Sequence, residues 1–502
     1  MTESVLLGID AGTSAVKVCA VSRDGRILAK AQRPIPVVTL QPLWAEIDLD
    51  RYWGLVCEAI REVAARVPQI DAVGLATTCP TTIVLDEGNN PLRPGILYLD
   101  GRSDALLHEV VGADTVAYRQ RTGNRASPST CWAANLTWLQ RHEPDTWHRV
   151  RRVVMLNGFL GLRLTGRAAF EPTQASYSGL MDVREVQPRW CDPLLGLWNV
   201  DGALLPEIIP GSQSLGGVSS SAAAQTGLAP GTTVALGAAD TVAAAVAVGI
   251  TKAGDAFESV GTSGVITLCL DQPNFDATFL NRHHVLPGRW LAHGAMSTLG
   301  GSFGWLQGKI WPEVQSFAEL ERMAMTSVPG ANGLIFLPYL AGERSPIWDT
   351  EASAAWIGLR LSHTRADMIR AVFEGGALAL RQILDRAEGQ WGWRPTELIG
   401  VGGGARSRFW AQIKADVLGL DYHMASLTDA AAIGAALMGA TAAGIFDSLQ
   451  DPGLPTICRD DRPIEPRPAL RQSIYDHSFE VFNGLYPALA KSMHKLAELA
   501  PR

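Results

Sequence analysis

No run of clustered lysine and arginine occurs anywhere in the chain. Its densest basic stretch, Arg149, Arg151 and Arg152, reads as a solvated face, and the formal net charge is −7. Binding along a phosphate backbone needs a concentrated positive surface, so no nucleic-acid partner is expected. Cysteine is sparse and unpatterned. The seven residues (Cys19, Cys57, Cys79, Cys131, Cys191, Cys269 and Cys458) are odd in number and form no C-x-x-C pair. Reduced thiols in a cytoplasmic protein account for them better than a disulfide framework. The sequence shows no basic segment followed by an apolar core, so no signal peptide is expected. It holds no H-E-x-x-H and no Cys/His cluster, and the adjacent His283 and His284 would point apart on a strand rather than share a metal. A G-x-x-x-x-G-K-[ST] loop is also missing, which excludes a Walker-type NTPase. The longest apolar stretch, 232–250, is broken by Gly237 and Asp240, is rich in alanine and lacks basic flanks. It predicts a buried strand running into a buried helix, not a membrane span.

What is present is a long, core-forming chain. At 502 residues with 47% hydrophobic and 19% charged content, it should divide into two to four domains. Apolar runs at Val5–Ile9, Val16–Val21 and Ile27–Gln32 predict an early antiparallel meander. A helical pattern spans Asp50 to Arg66, with buried strands at Ala72–Ala76 and Thr82–Leu85 after it. Farther on, a strand is predicted at Gly333–Leu337 and another at Glu397–Val401, running into Gly402-Gly403-Gly404. Thr364 with Asp367 resembles a capping box opening a long helix. An Ala-rich helix follows Thr428-Asp429, and an amphipathic helix runs from about Ile474 to Ala500. The class is α/β, with the main boundary near Ile250–Gly254, giving domains 1–250 and 251–502. The terminal helix could pack back across them.

Two short turns repeat each other. Gly8-Ile9-Asp10-Ala11-Gly12-Thr13-Ser14 leads into Ala15-Val16-Lys17-Val18, and Glu258-Ser259-Val260-Gly261-Thr262-Ser263-Gly264 leads into Val265-Ile266-Thr267-Leu268. Each reads as strand, Gly-Thr-Ser turn, strand. Glycine lets a backbone come close to a ligand, and consecutive turn amides form a concave anion site. Two such hairpins suggest a polyphosphate held from two sides. Phosphoryl transfer asks mainly for positioning and charge neutralisation, plus a group that deprotonates the attacking hydroxyl. Asp10, beside the first turn, suits Mg²⁺ held through water. Asp240, where a buried strand meets a helix, reads equally as a reactive carboxylate or as a plain helix N-cap.

In this order the motifs resemble the FGGY carbohydrate kinases over almost the whole length. The resemblance implies a two-lobed actin/hexokinase-like ATPase fold built of duplicated ribonuclease-H-like domains. It makes Asp240, in Gly237-Ala238-Ala239-Asp240, the general base. It also implies Mg²⁺ and ATP as cofactors, with the metal near Asp10. Gly12, Thr13, Ser14, Lys17, Gly261, Thr262 and Ser263 would hold phosphates. Gly300, Gly404, Ala405 and Ser407 would lie near the rest of the nucleotide. The segments Pro338–Pro346, Trp356–Arg365 and Arg370–Gly375 also match family patterns.

The substrate loop departs from the pattern. Xylulose kinases carry Gln-Met-His-Gly where this chain has Thr78-Cys79-Pro80-Thr81, and glycerol kinases place an Arg-Glu pair at Cys79 and Pro80 and a tyrosine at Ser129. The lysine of the family's N-terminal signature corresponds to Asn135. Glycerol is disfavoured, because a site lacking those polar groups cannot pair its hydroxyls. Leu164-Thr165-Gly166, Gly342-Glu343-Arg344 and His363–Asp367 resemble the xylulose-kinase side. The expected reaction is therefore ATP-dependent phosphorylation of a hydroxyl on a small sugar or polyol such as xylulose or ribulose, with Thr78, Cys79, Pro80 and Asp240 contacting it. Kinases for another polyol (a tetritol, for example), a non-catalytic nucleotide-dependent binding protein on the same fold and an inactive kinase are the alternatives. No membrane partner is expected, and a homodimer is.

Overall fold

The computed structural model describes residues 4–39, 41–67, 69–112, 115–425, 429–455 and 462–499. Thr428, Cys458 and Ala500 lie outside the described residues. The chain forms two compact units, one of residues 1–252, 270–291 and 429–457, the other of 253–269, 292–428 and 458–502.

The first unit is built on a six-stranded sheet in the order Ile27–Pro34, Ala15–Ser22, Val5–Ala11, Ala72–Thr77, Thr233–Ala239, Ser214–Gly217. The first three strands are the antiparallel meander read from the sequence, with Ala11 opposite Val16 across the Gly-Thr-Ser turn. The Ala72–Thr77 and Thr233–Ala239 strands then run parallel to Val5–Ala11. Both faces of its centre are covered, so Val5–Ala11, Ala72–Thr77 and Thr233–Ala239 are buried almost throughout, while the edge strand Ile27–Pro34 alternates buried and exposed residues. On one face lies the helix Leu49–Ala64, capped by Asp48, which accepts from Arg51 N at 2.9 Å, and burying Tyr52, Trp53, Val56, Ile60 and Val63. The helix Ala430–Ala442 packs across Val5–Ala11, Ala72–Thr77 and the helix Asp240–Ala247. It sits so close that a Cβ on Gly8 would lie 1.7 Å from Ala432 O, and one on Gly74 1.8 Å from Ala435 O. Only glycine permits that approach.

The second unit repeats this topology. Ala256–Val260 pairs antiparallel with Gly264–Leu270, Val260 opposite Gly264, and parallel with Glu397–Val401, which pairs parallel with Asp421–Met424. The helix Arg365–Trp391 opens on the expected capping box of Thr364 and Asp367 and stops at Gly392 with φ 74°. The 335–337 strand is shorter than expected, because 331–333 form a 3₁₀ turn instead. A buried ion pair ties strand to helix here: Lys414 Nζ lies 2.8 Å and 2.9 Å from the two carboxylate oxygens of Glu258, which also accepts from Tyr422 at 2.8 Å. No helix among the described residues is long and apolar enough to cross a membrane. The 232–250 stretch forms the strand Thr233–Ala239 and the helix Asp240–Ala247.

Candidate active site

In the first unit the sequence-predicted residues gather at the ends of three neighbouring strands. The Gly12–Ser14 turn is closed by Gly12 N donating to Ala15 O at 3.1 Å. It is held from outside by Tyr52, whose hydroxyl donates to Gly12 O at 2.9 Å, and by Ile35 N donating to Ser14 O at 3.0 Å. Thr78 N donates to Ala11 O at 3.1 Å, joining the 78–81 loop to the same turn. Asp10 is half-buried and faces Lys17 across the hairpin. Lys17 and Lys30 both turn to the buried Asp429, at 3.9 and 3.3 Å.

Asp240 owes its position to an irregular strand. The Thr233–Ala239 strand slips register against Ala72–Thr77 between Ala235 and Ala238. Gly237 takes up the slip at φ 77°, where an added Cβ would fall 1.6 Å from Leu75 O. Such a bulge re-aims the residues after it. The helix cap is Ala239, and Asp240 is the first helical residue, so the N-cap reading of Asp240 gives way. Thr241 N and Oγ1 both donate to its Oδ1, at 2.6 and 3.1 Å. Behind it, Ala239 N donates to Thr173 Oγ1 at 2.9 Å, and Thr173 Oγ1 donates to Glu171 at 2.8 Å. Glu171 is wholly buried and caps the short helix Pro172–Ala175; burial pushes its carboxyl up to about 7 against the hydrogen bonds of Thr173 and Gln174.

Burial first, and then the charge of Asp240, push the Asp10 carboxyl up to about 7, with Asp429 adding to the effect and Lys17 opposing it. Two carboxylates that raise each other's energy in a partly dry setting fit a divalent cation, which would remove the repulsion. Among the described residues no group of three or more His, Cys, Asp or Glu could hold a metal. Asp10 with Asp240 nearby is a donor set that fits Mg²⁺, an ion that keeps most of its water.

Cys79 is half-buried, with burial pushing its thiol up to about 11, and Thr78 and Pro80 are buried beside it. Asn135 is buried and donates to Thr82 Oγ1 at 3.1 Å. His284 uses both ring nitrogens, Nε2 at 2.9 Å from Ile250 O and Nδ1 accepting from Leu286 N at 3.1 Å. Burial pushes His283 and His284 down to about 4. The structure thus uses this pair as neutral core residues.

The second unit gathers a separate set. Gly261, Thr262, Gly300 and Gly404 line one cavity of about 420 Å³, walled also by Phe317 and Trp410. That volume lies in the range of small-molecule sites, and its mix of bare backbone and aromatic faces suits a flat heterocycle. Two of these glycines are required by packing: a Cβ on Gly404 would lie 2.4 Å from Val260 Cγ1, and one on Gly300 2.2 Å from Gly261 O. Thr262 O accepts from Leu299 N at 3.0 Å and Gly301 N at 2.9 Å, fixing this turn to the 299–301 segment. Ser263 follows in the turn, and its carbonyl accepts from Gly261 N at 3.0 Å. Ala405 is buried. Ser407 caps the helix Arg408–Leu418, accepting from Trp410 N at 2.9 Å while donating to Glu321 at 2.7 Å. Its hydroxyl is thereby committed within the protein.

Sequence reasoning missed Arg282, Glu171, Thr173 and Gln174. Glu171-Pro172-Thr173 carries a local sign, an acid before a proline at a helix start. Arg282 carried none, since its strand, Leu280–His283, is mostly polar.

The family models for the N-terminal and C-terminal domains of the FGGY family of carbohydrate kinases match residues 5–247 and 256–443. A xylulose kinase of Escherichia coli (strain K12) is 31% identical over 498 residues, covering 97% of this chain and 99% of that one. A gluconokinase of Bacillus subtilis (strain 168) is 25% identical over 468 residues, 89% of each. The crystal structure of xylulose kinase from Rhodospirillum rubrum superposes with TM-score 0.90 at 30% identity, covering 98% of this chain and 100% of that one.

Proposed function

The chain belongs to the FGGY family of carbohydrate kinases and is an ATP-dependent sugar kinase, and we propose that Asp240 is the base that takes the proton of the attacking hydroxyl. The observation that carries this proposal is the one-sided hydrogen bonding of Asp240. Thr241 saturates Oδ1 and fixes the rotamer, so Oδ2 is the oxygen that meets the substrate. A base in hydrogen-bond reach of the hydroxyl contributes about 10²- to 10⁴-fold.

ATP supplies the transferable γ-phosphoryl group, and Mg²⁺ neutralises its developing charge. Asp10 would hold the metal through its water. Backbone amides of Gly12, Thr13 and Ser14, with Lys17, and those of Gly261, Thr262 and Ser263 would bind the phosphates. The cavity at Gly300 and Gly404 would take the nucleoside, with Ala405 and Ser407 shaping the helix start beside it. The unit of residues 1–252, 270–291 and 429–457 would carry the sugar, and the other unit, which holds most of 251–502, the nucleotide. The substrate we favour is a ketopentose such as xylulose or ribulose, phosphorylated on a primary hydroxyl, with Thr78, Cys79 and Pro80 along the sugar. The curated relatives named xylulose kinase support this, although a gluconokinase matches as well. A cytoplasmic setting is proposed from the scattered, odd-numbered cysteines, and a homodimer is the oligomeric state we propose to test.

The test is whether ATP consumption depends on added sugar. The proposal expects negligible hydrolysis without a ketose and robust turnover with one. Sugar-independent hydrolysis would favour a nucleotide-driven binding protein instead.

A further inference from the structure

Beside Cys79 lie buried polar groups that the reaction above leaves unused. Arg282, on the strand Leu280–His283, is 5% exposed, and its Nε and Nη1 donors have no hydrogen-bond partner. Its guanidinium carbon stands 3.6 Å from the centre of the Tyr177 ring, and the group reaches the Cys79 thiol. His283 N donates to Ser176 Oγ at 2.9 Å, which locks this strand against the segment that follows Gln174. Gln174 donates through Nε2 to Thr77 Oγ1, while its Oε1 is buried without a partner.

Other buried arginines of the chain are neutralised at short range. Arg102 lies 2.6 Å from Glu46 and 2.7 Å from Asp100, and Arg370 lies 2.7 Å from Glu374. Arg282 instead meets Tyr177, to which it also hydrogen-bonds, and the Cys79 thiol, with Asp240 acting on it more weakly, while Nε and Nη1 stay idle. A buried cation with idle donors costs stability, and each unsatisfied buried group asks for an explanation. An arginine fork matches two neighbouring oxygens better than any other side chain. Cys79 and Pro80, by contrast, offer no strong donor to a sugar.

We propose that Arg282 is a substrate-binding, specificity-determining residue that grips two neighbouring oxygen acceptors of the sugar, with Gln174 Oε1 accepting from a hydroxyl beside them. The acceptors are either the carbonyl and adjacent hydroxyl of a ketose or the carboxylate of a sugar acid. The proposal rests on the kinase reading above. It explains how a loop reduced to Thr78-Cys79-Pro80 still serves a polar substrate: the donor comes from another strand.

The experiment compares wild type, Arg282→Met and Arg282→Lys with D-xylulose, D-ribulose, D-xylonate and xylitol at saturating Mg·ATP. It reads KM, kcat and the melting temperature of the free protein. For the best ketose or sugar acid, Arg282→Met should raise KM about 10- to 100-fold while kcat changes less than about 3-fold, because binding is lost equally in ground and transition states. Arg282→Lys should fall between. Wild type should disfavour xylitol, which lacks both acceptor pairs, and the Met variant should lose that discrimination. Melting should stay level or rise, since an unpaired buried charge is removed. Preference of wild type between ketose and xylonate identifies which acceptor pair is bound. An unchanged KM, or a lowered melting temperature with kcat and KM lost together, would overturn the assignment and leave the kinase reading standing. No sugar-dependent turnover by wild type with any of the four would overturn both.

Discussion

Replacing Asp10 by asparagine should stabilise the free protein while abolishing its chemistry. In the folded chain, burial and then Asp240 raise this carboxyl from 3.8 to about 7. Unfolded, it titrates near its ordinary value. Between about pH 4 and pH 7 the native state therefore holds a proton that the unfolded chain has released. The stability tied to this group is complete below about pH 4, declines as pH rises, and levels off above about pH 7. A gap of about 3 units at ~1.4 kcal/mol each corresponds to about 4 kcal/mol. Asp10 is half-buried rather than enclosed, so solvent screening brings the expected effect to about 1–3 kcal/mol. Asp10→Asn keeps the shape and removes the charge. Without nucleotide or divalent metal at pH 8 it should melt above wild type by roughly 1–2 °C per kcal/mol for a unit of this size. The difference should shrink to about a third at pH 5, where wild-type Asp10 is itself protonated in the native state. Calorimetry or dye-monitored melting from pH 5 to pH 8 reads this directly. Added Mg²⁺ at pH 8 should stabilise wild type and not the variant. An Asp10→Asn protein no more stable than wild type at pH 8, or a difference indifferent to pH, would refute the reasoning. The outcome expected is the common trade of stability for function at a reactive site.

Two further substitutions probe the scaffold. Gly237→Ala should destabilise the first unit by about 3 kcal/mol or more, combining a positive φ with a clash against the Leu75 backbone; denaturant melts check the size, and surviving protein should show reduced kcat because Asp240 is displaced. Lys414→Met should cost about 3–5 kcal/mol by stranding the buried Glu258 carboxylate, and adding Glu258→Gln should recover much of that loss; a double-mutant cycle on thermal stability checks the coupling.

Local chemistry was readable in the sequence, and long-range contact was not. Both Gly-Thr-Ser hairpins, the meander and the Thr364–Asp367 capping box follow from residues within a few positions of one another. The packing of Ala430–Ala442 onto Gly8 and Gly74 joins segments remote in sequence, and nothing local marks it. Asp240 shows the limit at short range: whether it caps the helix or begins it turns on the extended ψ of 145° at Ala239, which depends on the register slip at Gly237. Ser407 shows the reverse. Its place near the nucleotide followed from family pattern, yet the hydroxyl caps the helix that opens at Arg408. Arg282 was invisible as a candidate because its meaning lies in what surrounds it: a ring, a thiol and no carboxylate at ion-pair distance.

The most direct test of the account is single-turnover transfer of the γ-phosphoryl group from ATP to D-xylulose by wild type and by Asp240→Asn, with ATP affinity measured on both. A base in contact with the attacking hydroxyl predicts that transfer by the variant falls at least about 10²-fold while ATP binds as before. Transfer by Asp240→Asn at the wild-type rate would contradict it.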